Sequence, residues 1–449
     1  MKIWFFLLLI SSILLPISAW SIPFSIDKTD GGYIIAGTIY SGYKRPFIMK
    51  IDRDGELLWD KVYSTNYDLQ AWSVVRTASG YAIGGVIGNS VVGDKGLIIK
   101  VNYNGRPLWQ KIYGYDGCIS GVPALVSEND SIVASISMPL SIDNCSHQSL
   151  LIVKLDKDGN EVWKRIFDYR DYNSVKMIKK SGDGGFIGAG CIGDYVNGLY
   201  RNYDLLILKL DNDGNEEWSK ILDLGFDEVA WDVAEVKDGY IIVGGTFPEL
   251  SCRCSSVSNY TAKAFAIKLD LKGNIEWKKF FEVGKITSAW SVLCNPEPKI
   301  FGTAIDEEGY YLWFSEINGS PKIIEGDFRF LPAIYGLVRV LEDDGYLLTS
   351  SGCKGECIWL GKMSKNGELI WEKSYKPNAI FDISSIFETQ ASENKFQESN
   401  EGISPLQDDR EHKKSFTISK ELLYAVLLIF LALILAFGVS RFGSGREKL

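Results

Sequence analysis

Acidic turns are the first residues in this chain that could do chemistry. Asp156-Lys157-Asp158-Gly159 and Asp211-Asn212-Asp213-Gly214 resemble part of a Ca²⁺ loop, where closely spaced carboxylates offer hard oxygen ligands. The same residues also make hairpin turns, because Asp-Gly and Asn-Gly supply the positive φ that a tight connection needs. Asn102-Tyr103-Asn104-Gly105, Leu271-Lys272-Gly273 and Lys365-Asn366-Gly367 keep the turn and lose the carboxylates. These stretches therefore read as turns, with no metal assigned.

A second candidate is an aromatic residue followed by an acid: Tyr67-Asp68, Tyr115-Asp116 and Phe226-Asp227, with a related cluster at Tyr169, Asp171 and Tyr172. Rings and carboxylates around a central opening would bind a sugar by stacking and hydrogen bonding. The same pair could instead serve the fold, with the acid capping a junction and the ring packed inside it. Recurrence at equivalent positions points to the junction, since a ligand site normally breaks the symmetry of a repeat.

The eight cysteines are Cys118, Cys145, Cys191, Cys252, Cys254, Cys294, Cys353 and Cys357. An even count in an exported chain predicts disulfides. Cys118 with Cys145 and Cys353 with Cys357 are the first pairs expected; Cys191, Cys252, Cys254 and Cys294 could staple neighbouring units. Their spacings match no familiar four-ligand zinc set. Only two histidines occur, His147 and His412, so histidine-based metal or acid–base chemistry is not expected. No catalytic constellation emerges and no cofactor is implied.

These residues hang on a repeat. Lys154-Leu155-Asp156-Lys157-Asp158-Gly159-Asn160-Glu161-Val162-Trp163 returns at five further places, ending in Trp59, Trp109, Trp218, Trp277 and Trp371. The motif tryptophans lie 50 to 59 residues apart except for a last gap of 94, which hides a decayed copy at Phe314 to Pro321. That makes seven units. Each holds four apolar runs bounded by Gly and Asp: A (Ala71-Trp72-Ser73-Val74), B (Gly31-Gly32-Tyr33-Ile34-Ile35), C and D, the last two flanking the Asp-Gly turn. A period near fifty with four short strands per unit predicts an all-β, seven-bladed β-propeller of four-stranded antiparallel blades. Each D-strand Trp is expected to cover the gap between blades.

Lys-Leu-Asp-x-Asp-Gly-Asn-x-x-Trp, followed by Asp-Gly-Gly-Tyr-Ile-x-x-Gly, resembles the propeller repeats of prokaryotic cell-surface proteins. It is also similar to the repeats of the quinoprotein dehydrogenase (PQQ-like) superfamily. The resemblance covers roughly residues 20–387 and implies the fold. It does not extend to the quinoprotein site, which uses adjacent cysteines, where this chain has Cys252-Arg253-Cys254.

In chain order, residues 1–19 read as a secretory signal peptide, with Lys2, an apolar core and a small-residue end at Ser18-Ala19. The propeller follows over 20–387. Its last run, Ile380 to Phe387, stands where an A strand would come and is expected to pair with the first blade and close the ring. Residues 388–420 are a polar stalk, too hydrophilic to fold alone. Residues 421–440 predict one transmembrane helix and 441–449 a short basic tail, placed in the cytoplasm by the positive-inside rule.

A formal net charge of −9 and the absence of a basic stripe give no support to nucleic-acid binding. Asn129, Asn144, Asn259 and Asn318 sit in N-glycosylation sequons. The chain thus reads as a single-pass protein of the cell membrane with its propeller outside. It would be a binding or scaffold module meeting a surface protein or glycan through the B–C and D–A loops, where sequence and length vary most. The alternatives are an exported enzyme, quinoprotein-like or a glycoside hydrolase, and a subunit of a membrane complex.

Overall fold

Burial along the strands explains why they assemble as they do. In the second strand, Gly32–Ser41, consecutive residues Tyr33, Ile34, Ile35 and Ala36 are all buried. Both faces of that strand are therefore covered, which a lone four-stranded sheet cannot achieve. A fourth strand such as Glu161–Phe167 alternates exposed and half-buried positions and belongs at an outer edge. Sheets must then stack face to face, so that each buries the apolar side of its neighbour.

The computed structural model describes residues 20–384, apart from 42, 90–92, 248–260, 295–296, 308, 325–338, 343–344 and 353–356. Contacts divide the chain into two units, Met1–Ala391 and Ser392–Leu449. The second unit, the expected signal peptide, stalk, transmembrane helix and tail all lie outside the described residues. Among the described residues no helix is long and apolar enough to cross a membrane.

Seven antiparallel sheets follow one another along the chain, each ordered A-B-C-D. The first comprises Trp20–Thr29, Gly32–Ser41, Tyr43–Asp52 and Leu57–Ser64; the last comprises Arg339–Glu342, Tyr346–Gly352, Cys357–Met363 and Leu369–Tyr375. The protein is an all-β, seven-bladed propeller. Blade 6, the decayed copy, keeps all four strands, with its D strand shortened to Lys322–Ile324. The core is a series of clusters lying between blades: Ile34, Ala36 and Ile48 of blade 1 pack with Tyr81, Ile83 and Ile99 of blade 2.

Ring closure departs from the expectation. Ile380–Asp382 does pair with blade 1, but in parallel with the D strand, as a fifth and outermost strand. It takes no A-strand place because blade 1 already owns its A strand, Trp20–Thr29. Closure rests on side chains instead: Trp371 lies on Gly55, Tyr375 Oη donates to Gly55 O, and Lys373 Nζ pairs with Glu56 at 2.6 Å.

The repeat Trp and Gly form one device. Five of the six D-strand Trp residues lie on the turn glycine of the next blade: Trp59 on Gly105, Trp109 on Gly159, Trp163 on Gly214, Trp218 on Gly273 and Trp371 on Gly55. At the sixth junction the atoms nearest Gly319 are those of Glu316 and not of Trp277. Trp109 Nε1 donates to Lys157 O (2.8 Å) and Trp218 Nε1 to Leu271 O (3.1 Å), again in the next blade. Blade 6 has no D-strand Trp, and Phe314 of its C strand covers Gly367 in its stead. The turn acids are spent locally. Asp156 Oδ1 accepts from Asp158 N (2.9 Å) and Asn160 N (2.8 Å), and Asp52, Asp211 and Asp270 repeat the pattern.

A second device shapes the centre. The A strands carry one extra residue, a β-bulge, at Phe24, Trp72, Lys176, Trp231 and Trp290. A bulge re-aims the inserted side chain and tightens the local twist. It also crowds the B strand: a Cβ at Gly85 would stand 1.9 Å from Gln70 O, and one at Gly190 2.0 Å from Ser174 O. The B-strand glycines are thus required by the bulges. A strands of six blades line a central cavity of about 320 Å³.

Candidate functional site

The loops joining B to C and D to A lie on one face, opposite the C–D turns. The aromatic-acid pairs all fall here, one at each of four successive blade junctions, so the structure shares a face among them without gathering them into one cluster. Each pair is divided in use. Asp68 Oδ1 accepts from Lys44 N (2.9 Å) and Asp227 Oδ1 from Tyr203 N (3.0 Å), both in the preceding blade's C strand. Asp171 Oδ2 accepts from Tyr195 N at 2.8 Å. These acids fasten loops. Asp116 differs: it is exposed and pairs with Lys95 at 2.7 Å.

The rings behave differently. Tyr67 and Phe226 are 43% and 56% exposed, which makes them surface groups rather than packing groups. Tyr115 Oη donates to Leu140 O at 3.0 Å. Tyr169 is half-buried, and its Oη donates to Glu216 Oε2 at 2.9 Å; burial pushes its phenol up.

The Cys118–Cys145 disulfide forms, across a separation of 27 residues. It ties the D–A loop entering blade 3 to that blade's own B–C loop. Around it stand four exposed apolar side chains: Tyr115, Ile119 (63% exposed), Leu140 and Ile142. Cys357 is also disulfide-bonded, while Cys353, Cys252 and Cys254 lie outside the described residues. The expected staple through Cys191 is not made. That residue is a free thiol, buried in the B strand Phe186–Val196 between Ser174 and Leu205, where burial raises its pKa.

Sequence reasoning passed over His147. It stands in the B–C loop of blade 3, two residues past Cys145. Its Nε2 meets Asp168 Oδ1 at 2.8 Å and its Nδ1 meets Asp171 Oδ1 at 3.2 Å. The Asp168 hydrogen bond, with help from Asp171, raises its pKa against a smaller effect of burial. Both ring nitrogens are engaged by carboxylates, so the group holds two loops together. Beside it Tyr172, Tyr195, Tyr200 and Tyr203 form a cluster with centroids 5.1–5.7 Å apart. Burial pushes the Tyr200 phenol up to about 12.

Among the described residues the one grouping that could hold a metal ion is Asp204, Asp223 and Glu228, at the junction of blades 4 and 5. None of the three was singled out from sequence. Asp204 stands mid-way along the C strand Leu199–Leu210, directly ahead of the buried apolar run Leu205 to Leu208, which is the signal that could have found it. The sequons divide between faces. Asn144 is exposed in the B–C loop of blade 3, while Asn129 and Asn318 are exposed in turns of the opposite face. Asn259 lies outside the described residues.

No known protein family and no curated protein matches the chain. Solved structures do. A chimera of ACO and RPE65 aligns with 81% of this chain and 95% of its own length at a TM-score of 0.50, with 9% identity. A variant of the Synechocystis apocarotenoid oxygenase aligns at 0.47 and 11% identity, covering 76% and 86%. The GH43 endo-arabinanase of Bacillus licheniformis aligns at 0.31 and 13%, covering 57% and 96%. At such identities the likeness is one of fold alone: the chain shares the β-propeller architecture, and no chemistry passes to it from these proteins.

Proposed function

We propose that the chain is a binding module, anchored in a membrane by its C-terminal segment and holding its propeller outside the cell, with a protein partner on the B–C/D–A face. The observation that carries this is the apolar patch at the junction of blades 2 and 3. Tyr115, Ile119, Leu140 and Ile142 are exposed on two loops fixed to each other by the Cys118–Cys145 disulfide and by the Tyr115 Oη–Leu140 O hydrogen bond. A clustered, rigid apolar surface is what a protein interface uses, because little ordering entropy remains to be lost on binding. In the turns of the opposite face, among the described residues, Leu271 is the one large apolar side chain exposed. Ile119, Leu140 and Ile142 are aliphatic and give a sugar little to stack on, leaving Tyr115 as the one ring, so a protein fits the patch better than a glycan.

The enzyme reading has weaker support. His147, the histidine on this face, has both nitrogens held by carboxylates. The experiment is a pull-down of the tagged full-length chain from its native membrane in mild detergent, beside the double variant Ile119→Ser/Ile142→Ser. A stoichiometric protein lost from the variant, whose melting temperature is unchanged, is the expected result. Retention of the same partner by the variant, or recovery of the chain alone, would count against it.

A further inference from the structure

In blades 4, 5 and 6 the D–A loop is capped from one buried position of strand A, two residues ahead of the Val or Ala that precedes the bulge. In blade 6, Thr287 Oγ1 accepts from Val283 N (3.1 Å) and Gly284 N (3.2 Å). In blade 4, Asn173 Oδ1 accepts from Tyr169 N (2.9 Å) and Arg170 N (3.2 Å). Blade 2 has Leu69 there. A neutral side chain is enough for this job. Blade 5 places Glu228 at the same position, with 0% of its surface exposed.

One oxygen of Glu228 does the capping: Oε1 accepts from Phe226 N at 2.8 Å. The other, Oε2, is buried with no hydrogen-bond partner. Leaving a buried carboxylate oxygen unpaired is costly, and nothing in the capping role requires it. Asp204 and Asp223 converge on the same spot, and the three residues offer oxygens within 4.8 Å of one another. The two aspartates are likewise fixed by one oxygen each: Asp204 Oδ2 by Arg170 Nη2 (2.5 Å), Asp223 Oδ1 by Gly225 N (2.6 Å). Ionised, three carboxylates beside one guanidinium leave a charge of −2.

We infer that Asp204, Asp223 and Glu228 form a site for a divalent cation of the Ca²⁺ type, which fastens the D–A loop between blades 4 and 5. Ca²⁺ takes six to eight oxygens in flexible geometry, so three carboxylates completed by carbonyls and water suit it, and the exposed Asp223 gives it a way in. The rival occupant of this charge trap is a proton. Burial, then the charges of Asp223 and Asp204, push the Glu228 carboxyl up to about 7. The site is independent of the partner-binding reading above.

Calorimetric titration of Ca²⁺ into the chelator-stripped full-length chain at pH 8, with melting curves with and without Ca²⁺, tests this. Saturable binding with a raised melting temperature is expected. Asp223→Asn, a change at an exposed side chain, should weaken binding at least about tenfold, and Glu228→Gln should remove it. Absence of heat and of a melting shift in the wild type would overturn the inference. So would binding that survives unchanged in Asp223→Asn, which would place it elsewhere. If Glu228→Gln does not fold, the Asp223→Asn comparison decides alone.

Discussion

Trp371 of the last blade lies on Gly55 of the first: a Cβ built on Gly55 would stand 2.6 Å from Trp371 Cη2. Gly55 also has φ +80°, a conformation other residues adopt only under strain. Gly55→Ala therefore combines backbone strain with overlap and should cost about 1–3 kcal/mol. Gly319 is the matching control. It holds the same turn position in blade 6, its φ is ordinary, and a Cβ there would meet Glu316 Cβ at a comfortable 3.4 Å. Gly319→Ala should stay within about 0.5 kcal/mol. Denaturant melts of the two variants check the pair; equal costs would show that the lock is not what the glycine serves.

The Cys118–Cys145 bond closes a separation of 27 residues. In the chain-entropy account a loop of that size stabilises by about 3–4 kcal/mol. The double variant Cys118→Ser/Cys145→Ser should lose that much in a denaturant melt. It should also bind the partner recovered with the wild type less tightly, because Ile119 and Ile142 would no longer be held together. A melt unchanged from wild type would reject the stabilising role.

The propeller was legible in the sequence because each blade needs the same few contacts. Trp must reach the next blade's turn, and Gly must leave room both there and beside the bulge, so the residue types recur with the blade. Where the contact is made differently, as by Phe314 on Gly367, the motif fades while the blade persists. The Cys118–Cys145 pair was legible for a related reason, since both cysteines fall in one unit. The place of Ile380–Asp382 was not. An A strand and an added edge strand share the same apolar composition, and only the prior occupancy of the A position by Trp20–Thr29 separates them. His147 was also hidden. Its partners, Asp168 and Asp171, are 21 and 24 residues away on another loop.

Those partners give His147 a pH signature. Its pKa is raised above the ordinary value by the Asp168 and Asp171 carboxylates. A raised folded-state pKa means stability that is fully present below the unfolded value, near 6.5, and lost as pH rises through the folded value. The melting temperature should thus fall on going from pH 6 toward pH 8, and His147→Gln should flatten that part of the profile. The chain has two histidines, so a proton NMR titration yields two readable curves. A pKa for His147 at or below 6.5 would reject the clamp.

The last strand offers a test of how the ring is held. Ile383 is 1% exposed and belongs to the cluster between blades 1 and 2, with Tyr63 and Leu69, while its neighbour Ile380 is 67% exposed. Ile383 N also donates to Ser64 O (3.0 Å). The extension therefore works as a plug at a junction that other contacts already form. Ile383→Ala should cost about 2–5 kcal/mol, and Ile380→Ala about 0.5 kcal/mol or less. Unfolding of Ile383→Ala should remain a single transition, since Trp371, Tyr375 and Lys373 still bind blade 7 to blade 1. Separation into two transitions would instead mean that the extension, and not the Trp371–Gly55 contact, keeps the ring closed.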